Sequence, residues 1–473
     1  MFKSNFISSF FEQVEKQPLE TAIEFEGQKM SYQKLSEEAH GVCAFLKRNS
    51  AGEKYIGIKD EGGFQSYANI IGIWMFGAAY VPLNSSYPNG VVDGIVDELG
   101  LKTVLSKKGL KNISSVEGPK FIDGFVNGEL AYVIHTSGST GKPKSVLLSH
   151  ENLNAFTSHY LNKDKYDFDS SDRFLQSYDL SFDVSLFCFT IPLMIGGTLV
   201  LPEDKGVKYM TVLSSILKDK ITVCSNVPSV VKYALPRIAE ISMDSLRYCF
   251  FSGESLYGNW AKAWMVSAKN AQVYNCYGPT ETTIVCTTEH LNILELSYFE
   301  SAAPLPLGDS FECMDLVINK GEVCFKGPQV FTGYANSVKP KVSIHDDLFF
   351  PTGDMAFVDE KGKLIYKGRK DEQVQINGYR VELGAIDALI QKEFSVLSKT
   401  MVVSNFGKPD EIVSVIETDE IQILKVINHL KTCLPEYSLP GSIFLTASFP
   451  LNANGKLDVI ALKTWILEKL KAW

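Results

Sequence analysis

The chain has 473 residues, 45% apolar and 21% charged, with a formal net charge of −9, the profile of a globular protein large enough for two or three domains. That charge excludes nucleic acid or an anionic membrane surface as the main partner, whereas a site for ATP needs positive charge only locally. Apolar runs fall short of the roughly 18 to 20 residues that cross a bilayer, and "MFKSNFISSFFEQVEKQ" carries charges where a signal peptide is apolar; with 9 cysteines and no C-x-x-C pair, the expectation is a cytoplasmic protein with reduced thiols and no structural metal.

From about residue 54 to 290, short β-branched runs alternate with longer amphipathic segments. "KYIGI" precedes "SYANIIGIWMFGAAY", "AYVIH" precedes "HENLNAFTSHYL", "ITVCS" precedes "PSVVKYALPRI", and "LRYCFF" precedes "GNWAKAWMVSA". Such alternation predicts βαβ units and parallel-rich sheets, hence an α/β class. "HTSGSTGKPKSV" (135–146) follows the strand-like "LAYVIH" and so sits at a strand's carboxyl end, where open α/β sheets bind ligands. Its glycines and lysines suit phosphate, but Gly138 and Gly141 are too close for a P-loop, and Pro143 follows Lys142 where that motif has a hydroxyl. Taken alone, the stretch also reads as a solvated connection.

After about residue 305 come Gly-punctuated strands, "GEVCFKG" and "GKLIYKG", predicting a small β region that completes the large domain. "GRKDEQ" then marks a boundary near Asp371. The expectation is an N-terminal domain of residues 1–370 and a small mobile C-terminal α+β domain of residues 371–473, with helices near 382–393, 420–434 and 458–471.

The phosphate-type loop is joined, in order, by "FDVS" (182–185), "NCYGPTE" (275–281), "GEVCFKG" (321–327), "PTGD" (351–354), "GRKDEQVQINGYRVELGAID" (368–387), "LPEYSLP" (434–440) and "NANGKLD" (452–458). The ordered set, spread over nearly the whole chain, resembles the adenylate-forming superfamily and most closely the amino-acid adenylation domains of nonribosomal peptide synthetases. That resemblance implies ATP-dependent activation of a carboxylate, release of pyrophosphate and capture of the adenylate by a thiol. Positioning and positive charge then carry the catalysis.

The resemblance implies that Thr136, Ser137, Gly138, Ser139, Thr140, Gly141 and Lys144 bind the phosphates, with Tyr277 against the adenine and Gly278 and Thr280 also at the ATP site. It gives Asp354 the ribose hydroxyls, Arg369 the ribose and phosphate, Glu281 a Mg²⁺ ion and Asp371 the hinge. Lys456 is the position of the catalytic lysine, and loss of one such preorganised charge costs about 2.7–4 kcal/mol of transition-state stabilisation. Individually, a buried tyrosine, a turn and a solvated lysine would be the better explanations of Tyr277, Asp354 and Lys456, and only the ordered set favours the functional ones. Ser145, Gln375 and Asn377 depart from the glycine, lysine and arginine common in the family.

Asp183 is implied to pair with a substrate ammonium, its bland alternative being a helix N-cap in "LSFDVSLF". Val184, Phe187, Ser225, Phe250, Ser252, Cys276, Ile284 and Val285 would line a side-chain pocket without full charge, suiting a neutral amino acid of small to medium size. The sequence holds no G-G-x-S segment for phosphopantetheine, so the thiol is expected on a separate phosphopantetheinylated carrier protein. D-alanine:carrier-protein ligases are the nearest alternative, acyl- or aryl-CoA ligases the next, and a silent nucleotide-binding module the last.

Overall fold

A computed structural model describes residues 6–60, 62–106, 129–136, 144–203, 208–292, 304–335, 339–344, 346–371, 373–376, 378–403, 410–418, 420–451 and 457–471. Contacts divide the chain into two units. One consists of Met1–Ser85, Val96–His135 and Ser145–Lys370; the other holds Asp371–Trp473, Ser86–Ile95 and the stretch bearing Thr136 and Lys144.

In the first unit, described strands form a nine-stranded sheet in the order 309–310, 287–291, 272–277, 248–251, 223–226, 173–175, 198–201, 21–25 and 28–31. Its centre is parallel, as the alternating runs predict, because each strand returns through a helix. The strand Thr287–Leu291 departs from the expected parallel pattern and runs antiparallel to Gln272–Tyr277. A six-stranded sheet is built around parallel Tyr55–Asp60, Ala79–Asn84 and Leu130–Thr136. The late Gly-punctuated segments form a five-stranded antiparallel sheet around the long strand Asp347–Val358.

Apolar side chains between these layers merge into one core holding Trp74, Tyr80, Phe156, Phe189 and Phe251. One predicted segment ends early: Phe64–Phe76 is helical, Gly77 caps it at φ 92°, and Ala79 and Tyr80 already belong to the next strand. A left-handed residue is the usual stop for a helix, and glycine adopts it without Cβ strain.

The second unit carries the hairpin Gln373–Ile376/Tyr379–Glu382 and a three-stranded sheet of Leu397–Val403, Glu411–Glu417 and Ser442–Thr446. Along Glu411–Glu417, Ile412 and Ile416 join one apolar cluster with Ile386, Ile390, Val426 and Leu430 from two helices. Val413 and Val415 join another with Leu462 and Ile466 of the helix Val459–Lys471. A strand's side chains alternate between faces, so helices cover both sides of this sheet.

Candidate active site

Strand register brings the expected pocket residues together. Ser225 pairs with Phe250, and Phe250 with Tyr274, across neighbouring parallel strands, so the three share a face. Two residues farther along, Ser252 and Cys276 continue the same direction. The helix Val184–Ile195 supplies Phe187, whose ring lies 5.2 Å from Phe250 and 4.8 Å from Tyr160. Phe250 stacks on Tyr274 at 5.0 Å, and the Cys276 thiol shares a hydrogen bond with Tyr160 while burial pushes its pKa up. Ser225, Phe187, Phe250, Ser252, Cys276, Ile284 and Val285 are all buried, and Val184 is half-buried.

Asp183 stands where that helix begins, yet it makes no side-chain capping bond. Its side chain is buried, and among the described residues its Oδ2 has no hydrogen-bond partner. Burial pushes its pKa up to about 6, against the opposing pull of the Thr280 hydroxyl and the N–H groups of Val184 and Ile284; the Glu281 charge raises it further. A desolvated carboxylate with an unused oxygen is an acceptor for a cation. Burial and the Asp183 charge also raise the pKa of Tyr132, on the strand Leu130–Thr136.

On the nucleotide side, Tyr277 ends the strand Gln272–Tyr277 and donates its hydroxyl to Asp354 Oδ2 at 2.7 Å. Arg369, opposite Asp354 in the antiparallel ladder, donates to Oδ1 at 3.0 Å and to the Thr352 carbonyl at 3.1 Å. Together these bonds fix the orientation of the Asp354 carboxylate. Gly353, at φ 79°, leaves room for the guanidinium: a Cβ there would stand 2.5 Å from Arg369 Nη2. Gly278 is equally constrained, since a Cβ would approach Val285 Cα to 2.6 Å.

Glu281 sits in the short 3-10 helix Thr280–Thr282, buried, with Tyr334 donating to its Oε1 at 2.9 Å. Among the described residues no group of three or more His, Cys, Asp or Glu could by itself hold a metal. Mg²⁺ is nonetheless compatible with Glu281, because that ion takes one or two carboxylates and completes its shell with phosphates and water. Thr280, expected at the nucleotide, bonds Asp183.

Thr136 ends its strand buried, its hydroxyl without a partner among the described residues, and Lys144 opens the strand Lys144–Ser149 exposed. Ser145 is buried with its Oγ likewise unpartnered. Asp371 is exposed and accepts from the Gln373 N–H at 3.3 Å, and Gln375 is exposed. Ser137, Gly138, Ser139, Thr140, Gly141, Asn377 and Lys456 lie outside the described residues.

Tyr132, Tyr334 and Gln329 escaped the sequence reading. The first sits in an apolar strand that reads as core, and the other two act across about fifty residues, which no local pattern encodes.

A family model described as "AMP-binding enzyme" matches residues 10–335, and the chain belongs to that family. Among its relatives, gramicidin S synthase 2 of Brevibacillus brevis is 28% identical over 486 residues, which cover 96% of this chain and 11% of that protein. The chain thus spans about a tenth of that relative's length. Zwittermicin A synthase ZmaJ of Bacillus cereus is 27% identical over 503 residues, covering 96% of this chain and 94% of that one.

The fold matches the Vibrio cholerae adenylation domain AlmE in complex with glycyl-adenosine-5'-phosphate, with a TM-score of 0.85, 22% identity and 99% of each chain covered. It also matches NpsA-ThdA, an artificially fused adenylation–PCP di-domain from Klebsiella oxytoca, with a TM-score of 0.81, 21% identity and 99% and 97% coverage. Among the described residues no helix is long and apolar enough to cross a membrane.

Proposed function

We propose that this enzyme activates a neutral amino acid of small to medium size. The amino-acid carboxylate attacks the α-phosphorus of ATP, pyrophosphate leaves, and the aminoacyl-AMP is then passed to the phosphopantetheine thiol of a separate carrier protein. The observation that carries this reading is Asp183: a buried carboxylate with an oxygen that has no hydrogen-bond partner among the described residues, beside a pocket of uncharged side chains. A substrate ammonium would satisfy that oxygen, whereas an acid lacking an amine would leave the charge buried and unpaired.

In this reading Asp354, oriented by Tyr277 and Arg369, accepts the ribose hydroxyls, and the Tyr277 ring packs against adenine. Thr136, Lys144 and the intervening hydroxyls and glycines hold the phosphates. Glu281 would be the protein's ligand for Mg²⁺, which neutralises phosphate charge when bound. Lys456 supplies positive charge to the substrate carboxylate and α-phosphate. Phe187 and Phe250 fill space that a large side chain would need, which favours a small one. The glycyl-AMP complex of AlmE and the PCP fused to NpsA are consistent with amino-acid chemistry and a carrier acceptor.

Asp183→Ala tests the reading. Removing one partner of a buried charge pair costs about 2–5 kcal/mol, so the amino-acid KM in ATP–pyrophosphate exchange should rise about thirtyfold or more while the KM for ATP holds. An unchanged amino-acid KM would refute the ammonium assignment.

A further inference from the structure

The loop after Glu281 has an unusual backbone. Thr283 has φ 60° and Ile284 φ 71°, both left-handed although both are β-branched, a region that such residues rarely occupy. This geometry leaves the Ile284 N–H near the Asp183 carboxylate, where it favours the charged form. One side chain secures it. Gln329 is fully buried, and its Nε2 donates to the carbonyls of Val285 at 2.9 Å, Thr282 at 3.2 Å and Thr283 at 3.3 Å. In return the Thr283 hydroxyl donates to the Gln329 carbonyl at 2.6 Å, and the Phe331 N–H donates to the Glu281 carbonyl at 2.8 Å. Bonds of this kind, from one turn to another distant in sequence, fix a conformation that local preference resists.

We propose that Gln329 is a positioning residue for amino-acid recognition: by clamping Thr282–Val285 it fixes the backbone beside Asp183 and the Ile284 and Val285 side chains at the pocket. The inference rests on the assignment of Asp183 to the substrate ammonium. Gln329 itself touches no substrate. Its effect is transmitted through the backbone, so it should appear in amino-acid recognition before it appears in nucleotide binding.

Gln329→Met keeps the volume and removes both amide hydrogens. With the purified full chain, ATP–pyrophosphate exchange should show the amino-acid KM raised about tenfold, the equivalent of one or two hydrogen bonds, with the KM for ATP within about twofold. A second readout is kcat at saturating amino acid, which should hold while KM rises, because Gln329 acts on binding rather than on a reacting atom.

An unchanged amino-acid KM in a folded variant would overturn the inference and leave Gln329 a purely structural residue. Should Gln329→Met fail to fold, Thr283→Val, which removes the hydroxyl bond at nearly constant shape, is read in the same way, and an unchanged KM there overturns the inference equally. Asp183→Ala measured alongside separates the two ideas. A rise with Asp183→Ala but none with the clamp variants refutes the clamp alone, whereas no rise with Asp183→Ala refutes the recognition assignment and the clamp with it.

Discussion

Under the proposed reading Asp183 carries opposing demands, because the burial that would make it a receptor for an ammonium also makes its charge unfavourable in the empty site. Its carboxyl titrates at about 6 in the folded chain against 3.8 ordinarily. Between those values the native state binds more protons than the unfolded one, so stability falls as pH rises through this window, and the loss is complete above about pH 6. A shift of about two pKa units corresponds to roughly 3 kcal/mol at most. Asp183→Asn should therefore raise the melting temperature of the ligand-free protein at pH 8 and change it little near pH 4. Equal or lower stability at pH 8 would show that the charge is already compensated. If Asp183 pairs with the substrate ammonium as proposed, kcat/KM for the amino acid should decline below about pH 6, as its carboxylate is protonated.

At the scale of elements, the site depends on how closely the turn after Gln272–Tyr277 approaches the segment Val285–Cys286. Gly278 permits that approach; a Cβ would meet Val285 Cα at 2.6 Å and Cys286 N at 2.9 Å, both backbone atoms that cannot swing aside. Gly278→Ala should destabilise the protein by about 1–3 kcal/mol, in the range of overpacked interiors, and weaken ATP and the amino acid together because Tyr277 and Val285 shift as a pair. Thermal unfolding with both KM values checks this; wild-type values throughout would show that the turn yields freely.

Some elements were legible in the sequence and others were not, for physical reasons. The strands "AYVIH" and "LRYCFF" declare themselves by β-branched and aromatic runs, and Asp354 and Arg369 by their motifs. The helix Val184–Ile195 is buried along nearly its whole length, so it lacks the polar face that gives a helix its period. The left-handed Thr283 and Ile284 contradict local preference and are held by Gln329, 46 and 45 positions away, so no nearby residue announces them.

On the scale of the whole molecule, the ordered motifs across nearly the full chain made the adenylate-forming architecture readable, and membership of the AMP-binding enzyme family agrees with it. Alternating elements foretold the parallel-rich sheets, and the antiparallel return at Thr287–Leu291 escaped because pairing direction is a property of connections rather than of strand composition. In the proposed reading, the identity of the activated acid rests on a few side chains that converge from distant strands, with Asp183 foremost among them. The most direct test is ATP–pyrophosphate exchange by the purified protein, screened over the proteinogenic amino acids, D-alanine and several aryl and fatty acids. The account requires exchange that depends on a small or medium neutral amino acid; exchange supported only by acids without an amine, or by glutamate, lysine or tryptophan in preference, would contradict it.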